Sequence, residues 1–268
     1  MKLDFYTPNS QILRKYIKGF YFISKDQDKG PIKYWTFPNN YCILTVNQQF
    51  EVEDKGDLVI ISSSEVKNIM TCVVSRYTRP MQIYYKDLVD ELTIYFHPLG
   101  INHFVEDPTS LFIKNTQIDI NFLEGFNDKM RILFSLDRMT QITELESYLL
   151  SKLKVDKDFT IFRQMLVDLE NELTVDELAA KYRFSRQYIN RLFLRNLGKS
   201  PSEYKKIHRF RQALKIQHKY KRFSLLLNTG FYDQSHYIKD FRAFTALNPN
   251  SFFKDVDVNK ENVWLIVA

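Results

Sequence analysis

The chain has 268 residues, of which 44% are hydrophobic, so it can bury a sizeable core and is expected to form two domains. No apolar run approaches the roughly eighteen residues that a transmembrane helix needs, and the charged N-terminal residues argue against a signal peptide. Cys42 and Cys72 have no CxxC partner, which argues against a disulfide scaffold or a zinc site and predicts a cytoplasmic protein.

The charge of the chain is unevenly distributed. Residues 1–156 carry 18 Lys/Arg and 20 Asp/Glu, whereas residues 157–254 carry 19 and 9, a net charge of +10. A C-terminal third this basic indicates a module that meets a polyanion. A solvated basic face would produce the same balance, so charge alone does not decide between the two.

The N-terminal half predicts a sheet over residues of about 20–98. Short runs rich in β-branched and aromatic residues, separated by Gly- and Pro-containing turns, are typical of strands. The clearest runs are GFYFIS (19–24), YCILTV (41–46), DLVIIS (57–62), MQIYY (81–85) and ELTIYF (91–96). A short helix over residues 11–17 is expected to precede them.

Helical spacing replaces this pattern over residues of about 100–153. Segments 121–135 and 138–153 predict helices, and Ile142, Leu145, Leu149 and Leu153 lie on one stripe of the second. Such a stripe packs either on the sheet or on a second copy of the chain, and the sequence leaves both open. Residues 1–156 are therefore predicted to form a β-rich domain with helices.

After residue 159 no segment is interpreted as a strand, and capping signals divide the chain into short helices. Thr174 with Glu177, and Ser200 with Glu203, match the capping box, the second having proline at the first helical position and opening a long helix to about residue 218. Ser185, Asp233 and Asn248 are candidate N-caps for three more helices. The prediction is an all-α domain over 157–256, followed by a tail at 257–268.

Two helix–turn–helix units are predicted in this domain, at about 174–197 and 223–244. In the second, Gly230 falls where a turn requires positive φ, Phe231 is expected to enter the core, and Tyr237 and Phe241 to share the buried face. In such units the second helix enters the major groove, where Gln and Asn pair with adenine and Arg with guanine. The outward-facing candidates are Arg186, Gln187, Asn190 and Arg191 in the first unit, and Gln234, Ser235, His236 and Lys239 in the second.

The segment GFYDQSHYIKDFRAFTALNPNSF, preceded by LTVDELAAKYRFSRQYINRLFLRNLGKSPSEY, closely resembles the DNA-binding part of the AraC/XylS family of bacterial transcription regulators. The resemblance covers about 172–254. It implies a pair of units joined by a helix, binding successive major-groove segments of promoter DNA. By position, seven of the residues above fall at base-reading sites of the family: Gln187, Asn190, Arg191, Gln234, Ser235, His236 and Lys239. Ala246 and Arg183 depart from the family pattern, because each stands where glycine is common. The leucines before Gly230 also depart from it, because the family prefers alanine there.

The N-terminal half, residues 1–156, resembles more weakly the β-rich, cupin-like sensor or dimerisation domains attached to such regulators. The overall fold class is therefore expected to be α+β. The resemblance implies a small-molecule effector, RNA polymerase or a second copy of the chain as further partners, with no cofactor and no membrane. The alternative function is a protein-binding or small-molecule-binding module that keeps the helical fold without contacting DNA.

Other kinds of functional site have weaker support in the sequence. His97 and His103 lack the His-x-His pattern of a metal-binding cupin, and no metal site is expected. No Walker, GxGxxG, GxSxG or HExxH motif is present, so the protein is not expected to be an enzyme. A group of N-terminal aromatic residues either lines a ligand pocket or fills the core, namely Tyr34, Trp35, Phe37, Tyr84, Tyr85 and Tyr95. Some of the basic residues of the connecting helix (Lys205, Lys206, Arg209, Arg211 and Lys215) are candidates for phosphate contacts.

Overall fold

The computed structural model describes residues 4–25, 31–114, 116–220, 230–259 and 263–267, which form a β-rich N-terminal part and a helical C-terminal part. This is the predicted α+β class. The strands of the N-terminal part are β1 (Phe5–Tyr6), β2 (Ile17–Ile23), β3 (Ile32–Thr36), β4 (Cys42–Gln48), β5 (Phe50–Asp54), β6 (Leu58–Ser63), β7 (Ile69–Val74), β8 (Met81–Tyr85), β9 (Asp90–Phe96) and β10 (Thr116–Gln117). The predicted helix at 11–17 is only a 3₁₀ turn at Leu13–Lys15.

The strands form two facing sheets. The first has the order β1-β2-β9-β4-β7-β10 and is antiparallel throughout. Strand β9 shows why the sheet has two buried faces. Leu92, Ile94 and Phe96 point to a core beneath the helices, whereas Tyr95 points to the core between the sheets.

The second sheet corrects the interpretation of the C-terminal tail. Its order is β11-β12-β3-β8-β6-β5, where β11 (Val256–Asn259) and β12 (Val263–Val267) come from the end of the chain. The expectation of no strand after residue 159 was therefore wrong. The run VWLIV has the β-branched and aromatic composition of a strand, and it pairs antiparallel with β3 of the N-terminal part.

Two helices cover the first sheet, α1 (Phe126–Phe134) and α2 (Arg138–Lys152). Ile142, Leu145 and Leu149 of the predicted stripe are buried in the core beneath this sheet, and Leu153 packs against it. The stripe thus packs on the sheet and not on a second copy. Asp137 caps α2 by accepting from the backbone N–H groups of Met139 and Thr140.

Six helices follow: α3 (Thr160–Glu170), α4 (Val175–Tyr182), α5 (Arg186–Leu197), α6 (Pro201–Tyr220), α7 (Gln234–Thr245) and α8 (Pro249–Asp255). The predicted caps at Thr174, Ser185, Asp233 and Asn248 are all present. The second capping box is also formed, because Glu203 Oε2 accepts from the Ser200 N–H and Ser200 Oγ accepts from the Glu203 N–H. The predicted first helix of the second unit, FSLLLNT, lies outside the described residues.

The helical part has two cores, one for each unit. Leu178, Ile189 and Phe193 are fully buried in the first, together with residues of α3. Phe231, Tyr237 and Phe241 are buried in the second, as predicted from their spacing. Phe37, at the end of β3, is also fully buried in this second core, so the N-terminal part completes the packing of the second unit.

Candidate nucleic-acid interface

The first candidate surface is the outward face of α5. Ser185 caps this helix by accepting from the Tyr188 N–H at 3.1 Å, and Gly198 ends it with φ at +66°. Because Ile189 and Phe193 point into the core, positions 186, 187, 190 and 191 of the helix point away from it. The structure exposes all four predicted side chains there: Arg186, Gln187, Asn190 and Arg191.

Three of the four are uncommitted within the described part of the chain. Gln187, Asn190 and Arg191 have no side-chain partner among the described residues. Arg186 Nε lies 3.1 Å from Asp176 Oδ1, with both side chains more than two-thirds exposed. An ion pair this exposed contributes about 0–1 kcal/mol, so Asp176 holds the Arg186 side chain only weakly.

The second candidate surface is the start of α7. Gly230 has φ at +83°, which confirms that the backbone there is left-handed. Asp233 then caps the helix by accepting from the His236 N–H at 2.7 Å. Gln234, Ser235 and Lys239 are exposed, and none has a side-chain partner among the described residues.

His236 differs from its neighbours because its ring is partly enclosed. Its side chain is 33% exposed, and its Nε2 lies 3.4 Å from Asp240 Oδ2. Its ring centroid is 5.4 Å from that of Phe231. Arg209 of α6 joins the group by donating to Asp240 Oδ2 at 3.0 Å and to the Gly230 carbonyl at 2.9 Å. The imidazole is therefore tied to the elements that fix the start of α7.

The five basic residues of α6 considered above differ in their surroundings. Arg209 and Lys205 pair within the helical part, Lys205 with Glu172 at 3.0 Å. Arg211 donates to the carbonyls of Phe37 and Pro38, and burial lowers the pKa of its guanidinium to about 10. Lys206 and Lys215 are exposed. Of the five, these two have exposed side chains, and Lys215 also lines a cleft that residues of the N-terminal part border.

Two exposed aromatic residues at the same surfaces escaped the sequence analysis. Tyr232, directly before the Asp233 cap, is 89% exposed, and Tyr188 on α5 is 41% exposed. The signal for Tyr232 was present, because Phe231 fills the core position next to it and leaves its neighbour outside. Exposed rings at these helix starts can contact sugar and phosphate groups.

The N-terminal part contacts both units on the sides away from these faces. Near the first unit, Asn102 Nδ2 donates to the Asn196 carbonyl at 3.2 Å, and Lys199 Nζ donates to the Ser75 carbonyl. Burial lowers the pKa of Lys199 to about 8. Near the joining helix, Asn40 Nδ2 donates to the Tyr204 carbonyl at 3.0 Å. Both recognition faces stay exposed in this arrangement.

The described residues contain no group of three or more His, Cys, Asp or Glu side chains that could hold a metal ion. No helix among them is long and apolar enough to span a bilayer. His103 is buried, with Nδ1 3.0 Å from the Lys154 carbonyl and Nε2 2.8 Å from Arg163. Cys42 and Cys72 are free thiols.

Residues 178–255 match a family model described as a helix-turn-helix domain. The expected AraC-type helix-turn-helix domain is thereby confirmed for this part of the chain. No curated protein sequence matches the chain.

Among solved structures, ToxT from Vibrio cholerae is similar at 11% identity and a TM-score of 0.44, covering 88% of this chain and 96% of that one. ToxT bound to an unsaturated fatty acid matches at 11% identity and 0.44, covering 87% and 94%. ToxT bound to (E)-4-(8-methylnaphthalen-1-yl)but-3-enoic acid matches at 10% and 0.42, covering 88% and 97%. Similarities of this size do not determine a ligand or a function for the present chain.

Proposed function

We propose that this protein, whose C-terminal part carries an AraC-type helix-turn-helix domain, is a sequence-specific DNA-binding transcription regulator. The observation that carries the proposal is the pair of N-capped helices α5 and α7, each exposing a polar face with uncommitted side chains. Both helices lie in the basic part of the chain. No catalytic role is proposed for the protein.

Each face has the donors and acceptors needed to distinguish base pairs. Arg191 suits guanine, which offers two acceptors in the major groove, and Asn190 and Gln187 suit adenine, which offers a donor and an acceptor. Gln234 supplies the same pairing at the start of α7. Lys239 and the exposed lysines of α6 supply phosphate contacts, which make binding steeply dependent on salt.

We further propose that the N-terminal part binds an effector and transmits its binding through β3. Tyr34 and Thr36 of this strand line a cavity between the two sheets. The next residue, Phe37, lies against Phe252 at 4.9 Å between ring centroids, inside the core of the second unit. A ligand that shifts β3 therefore acts directly on the packing beneath α7.

Selection of binding sites from random duplex DNA tests the DNA-binding proposal with the full-length protein. Affinity for the selected and for scrambled DNA is then measured by fluorescence anisotropy at several salt concentrations. Arg191→Ala and Gln234→Ala are each expected to weaken specific binding about 5- to 150-fold, as loss of a bidentate base contact does, and to leave non-specific binding largely intact. Gln234→Ala removes no charge, so its salt dependence is expected to equal that of the unsubstituted protein.

Matched controls remove the same side chains from the N-terminal part. Arg131 on α1 and Gln11 are both exposed, and Arg131→Ala and Gln11→Ala are expected to bind the selected DNA normally. If Arg191→Ala and Gln234→Ala also bound normally, the assignment of the reading faces would be wrong. If the folded protein enriched no sequence even at low salt, the alternative of a binding module without DNA contact would be favoured.

A further inference from the structure

A cavity of about 140 Å³ lies between the two sheets of the N-terminal part. Its walls come from both sheets, with Tyr21 and Tyr95 on one side and Tyr34 and Tyr85 on the other. Exposed Asp54 stands at its rim. Of the six aromatic residues for which the sequence left pocket and core open, Tyr34, Tyr85 and Tyr95 line this cavity, and Phe37 belongs to a core.

Glu91 of β9 is the charged group inside the cavity, and it is only 2% exposed. Its Oε1 accepts from the Tyr21 hydroxyl at 3.1 Å and from the Thr93 hydroxyl at 2.8 Å. Its Oε2 accepts from Asn47 Nδ2 at 2.8 Å and from the Tyr85 hydroxyl at 2.5 Å. An ionised carboxylate is an acceptor only, and four donors directed at its two oxygens meet that requirement.

This carboxylate has no cation beside it in the described part of the chain. None of the described residues that line the cavity is Lys, Arg or His, and none of the ion pairs among the described residues involves Glu91. Carboxylates are rarely buried unless they are paired, because burial without a counter-charge is costly. A cavity that contains such a carboxylate and no basic group attracts cations and repels anions.

The tyrosine rings add a second feature that favours cations. The ring centroids of Tyr34 and Tyr85 are 6.4 Å apart and stacked, and those of Tyr21 and Tyr95 are 6.3 Å apart. Burial and the negative charge of Glu91 raise the pKa of Tyr21, Tyr34 and Tyr85, so these hydroxyls stay protonated. The faces of such rings attract ammonium groups, most strongly where water is excluded.

We propose that this cavity binds a small organic cation, an ammonium carried on an aromatic or branched alkyl group, which makes this the chemical class of the effector proposed above. The four donors already occupy both oxygens of Glu91, so the ammonium interacts with its charge and with the tyrosine faces around it. The volume sets the size, since an apolar cavity of about 150 Å³ is known to hold a benzene ring. The Thr and Asn side chains on the walls allow one or two further hydrogen bonds.

Three probes of nearly equal shape and different charge test the proposal on the full-length protein: benzylammonium, benzyl alcohol and benzoate. Isothermal titration calorimetry is expected to give benzylammonium an affinity at least tenfold above that of benzyl alcohol, with benzoate weakest. Equal or tighter binding of benzyl alcohol or benzoate would overturn the proposal. So would the absence of benzylammonium binding at millimolar concentration.

Substitutions in the cavity identify the groups responsible. Glu91→Gln keeps the volume and removes the charge, and it is expected to lower benzylammonium affinity at least about thirtyfold, as loss of one partner of a buried charge pair does. Tyr34→Phe keeps the ring face and is expected to retain most of the affinity, whereas Tyr34→Leu loses it. If the preference for the cation survived in Glu91→Gln, the proposal would be wrong.

A buried acid elsewhere is the matched control. Glu146 is 7% exposed and accepts from the backbone N–H groups of Asn9 and Ser10, in a different core. Glu146→Gln is expected to leave benzylammonium binding unchanged. DNA selection on the same preparation separates the two proposals, because a protein that selects DNA and ignores the cation refutes only the ligand class.

Discussion

Replacing Gly230 with alanine perturbs the start of α7 in two separable ways. The backbone at Gly230 has φ at +83°, where an L-residue with a Cβ costs about 1–2 kcal/mol. The added Cβ would also lie 2.5 Å from the carboxylate of Glu172, closer than any real contact. The Glu172 carboxylate must therefore shift, which disturbs its ion pair with Lys205 at 3.0 Å.

The two costs give an expected magnitude. The ion pair is partly exposed and contributes about 0.2–1 kcal/mol. Alanine also restricts the unfolded chain, which returns about 0.4–1 kcal/mol. Gly230→Ala is thus expected to lower the free energy of unfolding by about 1–2 kcal/mol, or the melting temperature by about 3–6 °C. Because Gly230 is four residues before Gln234, the first residue of α7, specific DNA binding is expected to fall as well.

Gly56 provides a matched control, because its φ is +85° and a Cβ there meets nothing within 4 Å. Gly56→Ala therefore reports the backbone cost alone, and urea unfolding followed by far-UV circular dichroism compares the two. In a Glu172→Ala background the ion pair with Lys205 is already absent, so Gly230→Ala is expected to cost there only about what Gly56→Ala costs. A neutral Gly230→Ala would refute the backbone argument, and a Gly230→Ala that cost nothing in the Glu172→Ala background would refute the division into two costs.

Arg183 and Ala246 have φ of 55° and 59°, so Arg183→Gly and Ala246→Gly are each expected to raise the free energy of unfolding by about 0.5–1 kcal/mol in urea titrations, and no gain at either position would contradict the backbone argument. Burial lowers the pKa of His97 to about 4, so between about pH 6.5 and 4 the unfolded chain binds the extra proton and stability falls as pH falls. His97→Phe is expected to remove about 2 kcal/mol of that pH dependence, measured by urea unfolding at pH 7 and pH 4.5, and an unchanged profile would contradict the assignment. Arg211→Met removes the donor to the carbonyls of Phe37 and Pro38, so it is expected to lower the free energy of unfolding by about 2–3 kcal/mol. It is also expected to increase amide hydrogen exchange in the residues after β3, and unchanged exchange there would show that this contact does not hold the two parts together.

The helical boundaries could be predicted because their signals are local. Thr174, Ser185, Asp233 and Asn248 each accept from the backbone N–H three residues later, so the cap and the group it satisfies lie in one short segment. A left-handed backbone could also be predicted from local sequence. At Gly230 it follows from the turn between two helices, which requires positive φ.

The contacts between the two parts could not be predicted, because they join residues far apart in the chain. Phe37 is an aromatic residue after a strand, and nothing near it in sequence indicates that its ring enters the core of α7 and α8. The strand at Val263–Val267 has a clear local signal, but its pairing with β3 depends on where the helical part carries the end of the chain. The parts of the chain before and after residue 156 therefore pack against each other through one interface.

The reading faces lie between these two cases, and His236 shows where the sequence argument stops. The exposed face of a helix is what remains after its buried stripe is assigned, and this rule correctly exposes all four candidates on α5 and three on α7. The rule also predicts that His236 is exposed, because it takes no account of Asp240 one helical turn later or of Arg209, which approaches from α6. With its ring held by those two residues, His236 is suited to fixing the start of α7. Under the proposed function, base reading by this helix is therefore assigned to Gln234, Ser235 and Lys239, whose side chains remain uncommitted within the described part of the chain.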